Sequence, residues 1–371
     1  MIRVDKLLRK FTQSVYKCFS KNRIIFFVHG KDTLNGIETI YNCLRGRIEV
    51  YFVAIEDGSE QLLKACKMVN PKSIPYKKEG KIINLLRLRP RYIFYTTPYD
   101  NHVPPQYRIK KVSFYAKTCY TVYGVATATN ESSVYNGDFF QYLNFFFAPN
   151  FHVYNTVNDK INSVYGKNVL TGYTKLDGLS EWKTDEEHPF SAIWNPRWLV
   201  HVKQKSNFFK YKDLFLEYYM QNTEDKFIFR PHPMAFNHYI QKHFISKQEL
   251  EEYCESFENN RKLDTDWRYY ETFWKSDVLI SDVSSLLVEY FYTGKPIIFC
   301  PGEEKLNELG MELSKGFYIA NSFDEIVKYL EMLKSGKDEL KETRKEIIKK
   351  LYIEENASKK IAEVLLKTRF C

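Results

Sequence analysis

Apolar positions along the chain occur in two arrangements, short continuous runs and stretches with helical spacing, and the two alternate. Residues 2–23 place Val4, Leu7, Leu8, Phe11, Val15 and Phe19 at helical spacing. Lys6, Arg9, Lys10, Lys17, Lys21 and Arg23 fill much of the remainder, which is the pattern of a basic amphipathic helix. Residues 23–28 read as a buried strand ending at His29, and a helix is expected from about 34 to 44. A second strand at 49–55 leads through the acidic turn Glu56, Asp57, Gly58 into another helix. Further strands are expected near 92–95, 118–123 and 143–148. That alternation predicts a Rossmann-like α/β domain.

The same alternation returns after a break. Residues 168–178, followed by the charged, proline-containing stretch TDEEHPF, read as an interdomain connection. The division is placed at 1–160 for an N-terminal domain and 161–371 for a C-terminal domain that carries the last helices. Strand 191–194, helix 207–221 and strand 226–230 open the second domain and lead to residues 274–299. There a strand (277–280) meets a turn rich in helix N-cap residues, Ser281 to Ser285. An apolar helix start, a stop at Gly294 and a strand at 296–299 follow. Helical pieces at 323–333 and 338–367 close the chain. No internal repeat or low-complexity tract interrupts this order.

A chain of 371 residues fits two domains, and its 44% hydrophobic content suffices for both cores. The net charge of +9 is uneven. Residues 1–150 hold 23 Lys and Arg against 11 Asp and Glu, so +12, and the remainder is −3. A basic N-terminal half attracts an anionic membrane surface or polymer. No zinc finger, RNA-binding aromatic motif or basic repeat supports nucleic acid as the partner. The seven cysteines are scattered without a CxxC pair, the pattern of reduced thiols in a cytoplasmic protein. No stretch reads as a signal peptide or a membrane span, so a soluble or peripherally bound protein is expected.

Two motifs carry chemistry. Phe229-Arg-Pro-His-Pro233 ends a strand, with two prolines fixing the backbone around His232 and Arg230 offering a planar donor fork. Ser281-Asp-Val-Ser-Ser285 ends another strand, where ligands of open α/β sheets bind, and opens a helix whose amides and hydroxyls suit a phosphate. Ser281 and Asp282 equally suit a plain helix cap. An Arg, a His and a helix start converging on one crevice are the parts needed to hold a nucleotide diphosphate and stabilise its leaving group. No Asp-x-Asp, HxxxH or Cys/His cluster is present, so neither a metal nor a resident cofactor is expected.

With these residues in place the chain resembles the CDP-glycerol glycerophosphotransferases of teichoic-acid and capsule synthesis. The resemblance spans roughly 165–365. It rests on GYTKLD at 172–177, WNPRW at 194–198, RPHP, the stretch SDVLISDVSSLLVEYFYTGKPIIF, and Glu355-Asn-Ala-Ser-Lys-Lys-Ile361. It implies a GT-B architecture, two Rossmann-like domains facing across a cleft, with the donor held mainly by the C-terminal one. By position, His232, Arg230 and Asp282 would form the catalytic set. Ser281, Ser284, Ser285, Glu289, Arg197 and Lys175 would bind the donor or support that site. Many members carry a Trp-His-Gly segment whose His looks like the acceptor's general base, whereas this chain has Val122-Tyr-Gly-Val125. Tyr123 is a poor base near neutral pH, which leaves His29, Asp100, His102 and Asp138 as acceptor-side candidates.

The expected function is transfer of a glycerol-phosphate-like unit from CDP-glycerol to a lipid-linked glycan or cell-surface polymer. The expected partners are a CDP-linked donor, that acceptor and the anionic inner face of the cell membrane, to which the protein would bind peripherally from the cytoplasm. Two alternatives stay open: a GT-B glycosyltransferase using a nucleotide sugar, and an inactive relative that binds nucleotide or glycan.

Overall fold

Seven of the chain's apolar runs meet in one sheet whose central strands are buried on both faces, as a parallel sheet covered by helices requires. The structure, a computed structural model, describes residues 2–55, 60–129, 135, 137–162, 166–352 and 356–367. The strands of the first part are β1 (Arg23–Val28), β2 (Glu49–Ala54), β3 (Ser73–Pro75), the short hairpin β4 (Lys77–Lys78) and β5 (Lys81–Ile82), β6 (Tyr92–Tyr95), β7 (Lys117–Thr121), β8 (Phe145–Ala148) and β9 (Lys167–Leu170). All but the hairpin pair in parallel, in the order β3-β2-β1-β6-β7-β8-β9. Phe26 stacks on Phe94, and Phe94 in turn on Phe147, so the centre of this sheet is a row of aromatic rings.

The second part repeats the scheme with β10 (Ser191–Asn195), β11 (Lys226–Phe229), β12 (Arg261–Leu263), β13 (Val278–Ser281), β14 (Ile297–Phe299) and β15 (Phe317–Ile319). These pair in parallel in the order β12-β11-β10-β13-β14-β15. Trp194 on the central strand lies against Phe208, Phe215, Phe227 and Phe229, with ring centroids 4.6–6.1 Å apart. The high aromatic content is thus spent on the core, where each ring buries a large apolar area.

The chain separates into two compact units. One comprises Met1–Tyr123, Ser133–Ser180 and Tyr352–Cys371, and the other Gly124–Ser132 with Glu181–Leu351. The division expected at 160 therefore moves to 180. Residues 168–178, read above as a connection, are instead β9 and the start of the helix Thr174–Glu181. The apolar pair Val169 and Leu170, the first of them β-branched, was outweighed in the sequence by the turn-like residues that follow. The last helix, Ala357–Lys367, belongs to the first unit rather than to the domain it follows in sequence. The acidic turn at Glu56, Asp57 and Gly58, and Glu355, lie outside the described residues.

Asp177 explains the helix's return. Its Oδ1 accepts from the amides of Asn356 and Ala357 at 2.9 and 3.1 Å, and its Oδ2 from the amide of Ser358 at 2.6 Å. One carboxylate thus caps the first turn of the C-terminal helix, satisfying donors with no partner inside the helix. Ser358 Oγ also donates to Thr39 Oγ1 at 2.7 Å, and Tyr92 Oη to the Leu365 carbonyl at 3.1 Å. The GYTKLD and Asn-Ala-Ser-Lys-Lys stretches, far apart in sequence, are two halves of one contact. Asp177→Ala should cost about 1–2 kcal/mol of stability. Hydrogen exchange should quicken first in Ala357–Lys367, and unchanged exchange there would show that the cap does not hold the helix.

Candidate functional site

Three loops leave the carboxyl ends of neighbouring strands in the second unit: residues 195–198 after β10, 230–234 after β11, and 281–285 after β13. Register sets their neighbourhood, since Trp194 pairs with Phe229 and Asn195 with Ser281. Side chains then lock it. Asn195 Nδ2 donates to the Arg230 carbonyl at 2.7 Å, and Ser281 Oγ donates to the Asn195 carbonyl at 2.8 Å. Arg197 Nη1 reaches the Val283 carbonyl at 3.3 Å while its Nη2 pairs with Glu304 at 2.9 Å. Next to it the Trp198 ring stacks on His232, with centroids 4.8 Å apart and planes 15° apart. The first loop therefore grips both of the others, and the RPHP and SDVSS motifs are held on either side of residues 195–198.

His232 is half-buried, and its Nδ1 accepts from the Met234 amide at 3.1 Å. That bond leaves the proton of the neutral ring on Nε2, where it can be donated to a phosphate oxygen. The stacked indole holds the ring plane. Ser284 and Ser285 are half-buried. Ser284 Oγ accepts from the Leu286 amide at 3.2 Å, so this hydroxyl is engaged as a cap. The helix Leu286–Phe291 is one and a half turns long, which makes its dipole a small contribution beside the hydroxyls and ring nitrogen.

Arg230 differs from expectation. Its Nη1 donates to Asp264 Oδ2 at 2.8 Å, its Nη2 to the Asp266 carbonyl at 2.7 Å, and the guanidinium lies 4.5 Å over the Tyr269 ring. The fork expected to clasp a phosphate is taken up inside the unit. Arg230 is buried, and so is the Asp264 carboxylate it pairs with. Glu289 is fully buried and accepts from the Tyr269 hydroxyl, which places it beneath the site rather than on a ligand. These four residues form one polar cluster that fixes the loop 264–269 against β11. No sequence pattern announced it, because Asp264 and Tyr269 come from a loop more than thirty residues after Arg230. Ser281 is likewise a structural tie, its hydroxyl spent on backbone carbonyls.

Asp282 sits on the inner side of the turn. Asn207 Nδ2 donates to its Oδ2 at 3.1 Å, and its Oδ1 is buried with no hydrogen-bond partner among the described residues. Burial pushes its carboxyl from an ordinary 3.8 up to about 7 against the pull of Asn207 and Arg197. Sequence reading also missed the segment that covers this turn. Gly124–Ser132 belongs to the second unit, where Asn307 Nδ2 donates to the Ala126 carbonyl at 2.9 Å and Thr127 Oγ1 to the Ser284 carbonyl at 3.3 Å. A Cβ on Gly124 would stand 3.3 Å from the Ser285 Cβ, a tight contact that would make the Ser285 side chain give by a few tenths of an ångström.

The remaining candidates lie in the first unit. Lys175 is buried on the helix Thr174–Glu181, beside Gly36, and takes no part in the cluster above. His29 follows β1, and its Nδ1 is 3.0 Å from Thr96 Oγ1 at the end of the adjacent β6. Burial, with His102 nearby, lowers its pKa to about 4, and Nε2 has no partner among the described residues. Asp100 accepts from the Ile109 amide at 2.7 Å, so it caps a short helix, and burial raises its pKa. His102 is exposed beside Tyr99. Asp138 is exposed on a short turn with Gln141 as partner. The Tyr123 carbonyl accepts from Tyr173 Oη at 3.4 Å. Of these, only His29 combines a strand-end position, a neutral ring and an unused nitrogen.

With this geometry described, known proteins supply a frame. Residues 201–367 match the family described as CDP-glycerol:poly(glycerophosphate) glycerophosphotransferase, the family to which the motifs pointed. No curated protein matches the chain at a significant level. Among solved structures, UDP-GlcNAc 2-epimerase from Neisseria meningitidis bound to UDP-GlcNAc aligns with a TM-score of 0.61 at 13% identity, covering 93% of this chain and 100% of that one. The wall teichoic acid polymerase TagF aligns with a TM-score of 0.57 at 13% identity, covering 97% and 93%. S. aureus MnaA in its UDP co-structure aligns at 0.58 and 12% identity, covering 94% and 98%. These likenesses establish the fold, an α/β architecture of parallel sheets of the GT-B type.

Two substitutions test the site. Asp282 keeps its proton in the native state over a pH range where the unfolded chain has lost it, so its burial costs stability progressively from about pH 4 up to about 7. The melting temperature of Asp282→Asn relative to wild type should therefore rise across that window, and a pH-independent difference would show the carboxyl to be unperturbed. Gly124→Ala should displace the Ser285 side chain and weaken nucleotide binding several-fold while leaving the melting temperature within a few degrees. Unaltered binding would mean that Ser285 does not face the ligand.

Proposed function

We propose that this protein transfers a glycerol-phosphate-like unit from CDP-glycerol to a lipid-linked glycan or cell-surface polymer, in teichoic-acid or capsule synthesis at the cytoplasmic face of the membrane. One observation carries the reading: both motif loops within the matched segment 201–367 are gripped by residues 195–198, so the loop with His232 and the loop with Ser284 and Ser285 are held at the carboxyl ends of the two strands that flank β10. Such strand ends are where open α/β sheets bind their ligands.

The chemistry follows from the donor. An acceptor hydroxyl oxygen attacks the β-phosphorus and forms a new phosphodiester bond. The bond from that phosphorus to the bridging oxygen breaks, and CMP leaves with the electron pair. Charge growing on the departing phosphate is met by the Nε2–H of His232 and by Ser285, both held before the reaction begins. Arg230 acts through its neighbours, as a positioning residue that keeps the RPHP backbone and the loop 264–269 in place. The hydroxyl proton passes to a general base as the new bond forms.

A nucleotide sugar as donor is the second reading, favoured by the likeness to a UDP-GlcNAc 2-epimerase bound to UDP-GlcNAc. Nucleotide specificity separates the two. CDP and CMP should raise the melting temperature of the full chain more than UDP or GDP, and CDP-glycerol should be turned over with release of CMP. His232→Asn retains an oxygen for the Met234 amide but lacks the Nε2–H. CMP release should fall by roughly 10²–10³-fold with the fold intact. Preference for UDP would favour the sugar donor, and absence of any nucleotide effect would favour an inactive relative.

A further inference from the structure

The N-terminal helix, Ile2–Lys17, is fastened to the first unit by its polar side. Arg9 is buried with its guanidinium 4.6 Å over the Tyr142 ring, and Gln13 Nε2 donates to the carbonyls of Ser113 and Ala116 at 2.6 and 3.2 Å. Leu7, Leu8, Phe11, Val15 and, just past the helix end, Phe19 are 47–69% exposed. At about 3.6 residues per turn, positions 10, 13, 14 and 17 fall on the side of the helix roughly opposite 8, 11 and 15. That polar side borders a cavity of about 330 Å³, within the range of small-molecule sites.

The sheet forms the other wall. Arg91, Lys117 and Lys167 stand at the amino-terminal ends of β6, β7 and β9, so the cavity lies at the edge opposite His29 and Thr96. Open α/β sheets take their substrates at the carboxyl ends of the strands, and this space is therefore apart from any such site. Five of its twelve lining residues are cationic and none is acidic: Lys10 and Lys17 from the helix, Arg91, Lys117 and Lys167 from the sheet. Burial, and then the charges of Arg91, Lys17 and Lys167, lower the pKa of Lys117. Tyr16 also lines the cavity, and its hydroxyl is buried with no hydrogen-bond partner among the described residues. Beside the five cations the wall thus holds a donor without an acceptor, which is costly to leave so.

We infer that this cavity is a binding site for a soluble, multiply charged phosphate compound, held by Lys10 and Lys17 of the helix and by Arg91, Lys117 and Lys167 of the sheet. Like charges gathered around one space repel each other, and an anion among them replaces that repulsion with charge-assisted hydrogen bonds. A phosphate compound suits the set better than a single carboxylate. Its oxygens take ammonium and guanidinium donors from both walls at once, and its two or more negative charges answer five positive ones. The ligand is soluble rather than a membrane lipid because the exposed apolar stripe lies on the other side of the helix, so a bilayer that took the stripe would not face the cavity. The occupant ties the N-terminal helix to the strand ends. This site is separate from the donor loops and needs neither them nor the transfer reaction.

Pyrophosphate is the probe, added to the full chain and followed by calorimetric titration and melting temperature. It should bind and raise the melting temperature, whereas sodium chloride at the same ionic strength should not. Lys117→Gln/Lys167→Gln should weaken binding by roughly tenfold or more. Without an anion this variant should melt no lower than wild type, since it removes repulsion. Lys10→Gln, at an exposed position, should weaken binding several-fold with the melting temperature unchanged, which guards against a folding defect in the double variant. His232→Asn should bind pyrophosphate as wild type does. Absence of binding, or an equal response to sodium chloride, overturns the inference and leaves the cations a solvated face. Wild-type affinity in Lys10→Gln and in the double variant overturns it too, and loss in His232→Asn alone would move the anion to the second unit. Binding to phosphatidylglycerol vesicles through these lysines, with no pyrophosphate bound, would make the occupant a lipid headgroup and equally overturn it.

Discussion

Asn195 ends the central strand of the second unit, and its side chain and carbonyl tie together two chain segments that a parallel sheet leaves free. Strand pairing aligns β10 with β11 and β13 only as far as the last backbone bond. Beyond it each loop can move independently. The amide of Asn195 catches the Arg230 carbonyl and its own carbonyl takes the Ser281 hydroxyl, so the spacing between the two motifs is set by two short bonds in a buried place. Buried polar groups demand partners, so sliding either loop would leave at least one of these atoms unsatisfied. Arg197 and Trp198 extend the same hold outward to Val283 and His232. Positioning of this kind is what a phosphoryl-transfer site requires, because such reactions draw mainly on orientation and fixed charge.

Beneath that surface the unit is rigid for two different reasons. Trp194 and its ring neighbours fill the space under the strands, and the Arg230–Asp264 pair with Tyr269 and Glu289 fills the space under the RPHP loop. The first is non-directional and tolerant in detail. The second is directional, and removing one member would strand a buried charge at a cost of about 3–5 kcal/mol. Each side of the His232 loop therefore rests on a different kind of support, aromatic at Trp198 and ionic at Asp264.

Much of the fold was legible because local signals agreed. Buried-strand runs such as Ile24–Val28 and Val278–Ile280 have no other use, and Gly294, with φ of +77°, ends the helix where glycine should. The helix at 207–221 was bounded to the residue. Legibility failed where a structure depends on distant partners. Val169 and Leu170 looked like part of a linker because their strand is completed by β8, and Asp177 looked like a motif residue with no stated purpose because the helix it caps begins at 357. For the site, the sequence named the two loops that residues 195–198 hold together, and His232 in one of them. It misassigned Arg230, since nothing near that residue shows that Asp264 will take its fork. The N-terminal helix shows the limit of periodicity most clearly. Its pattern was read correctly, yet pattern alone cannot tell which side a fold will bury.

The account stands or falls on whether ligand engages the two loops that Asn195 joins. Hydrogen exchange of the full chain with and without CDP-glycerol, resolved to short peptides, measures this directly. Slowed exchange should appear together in peptides covering 230–236 and 281–288, with little change in 261–263 at the sheet edge. Protection in one of the two loops without the other, or in neither while the nucleotide is bound, would contradict a shared phosphate site.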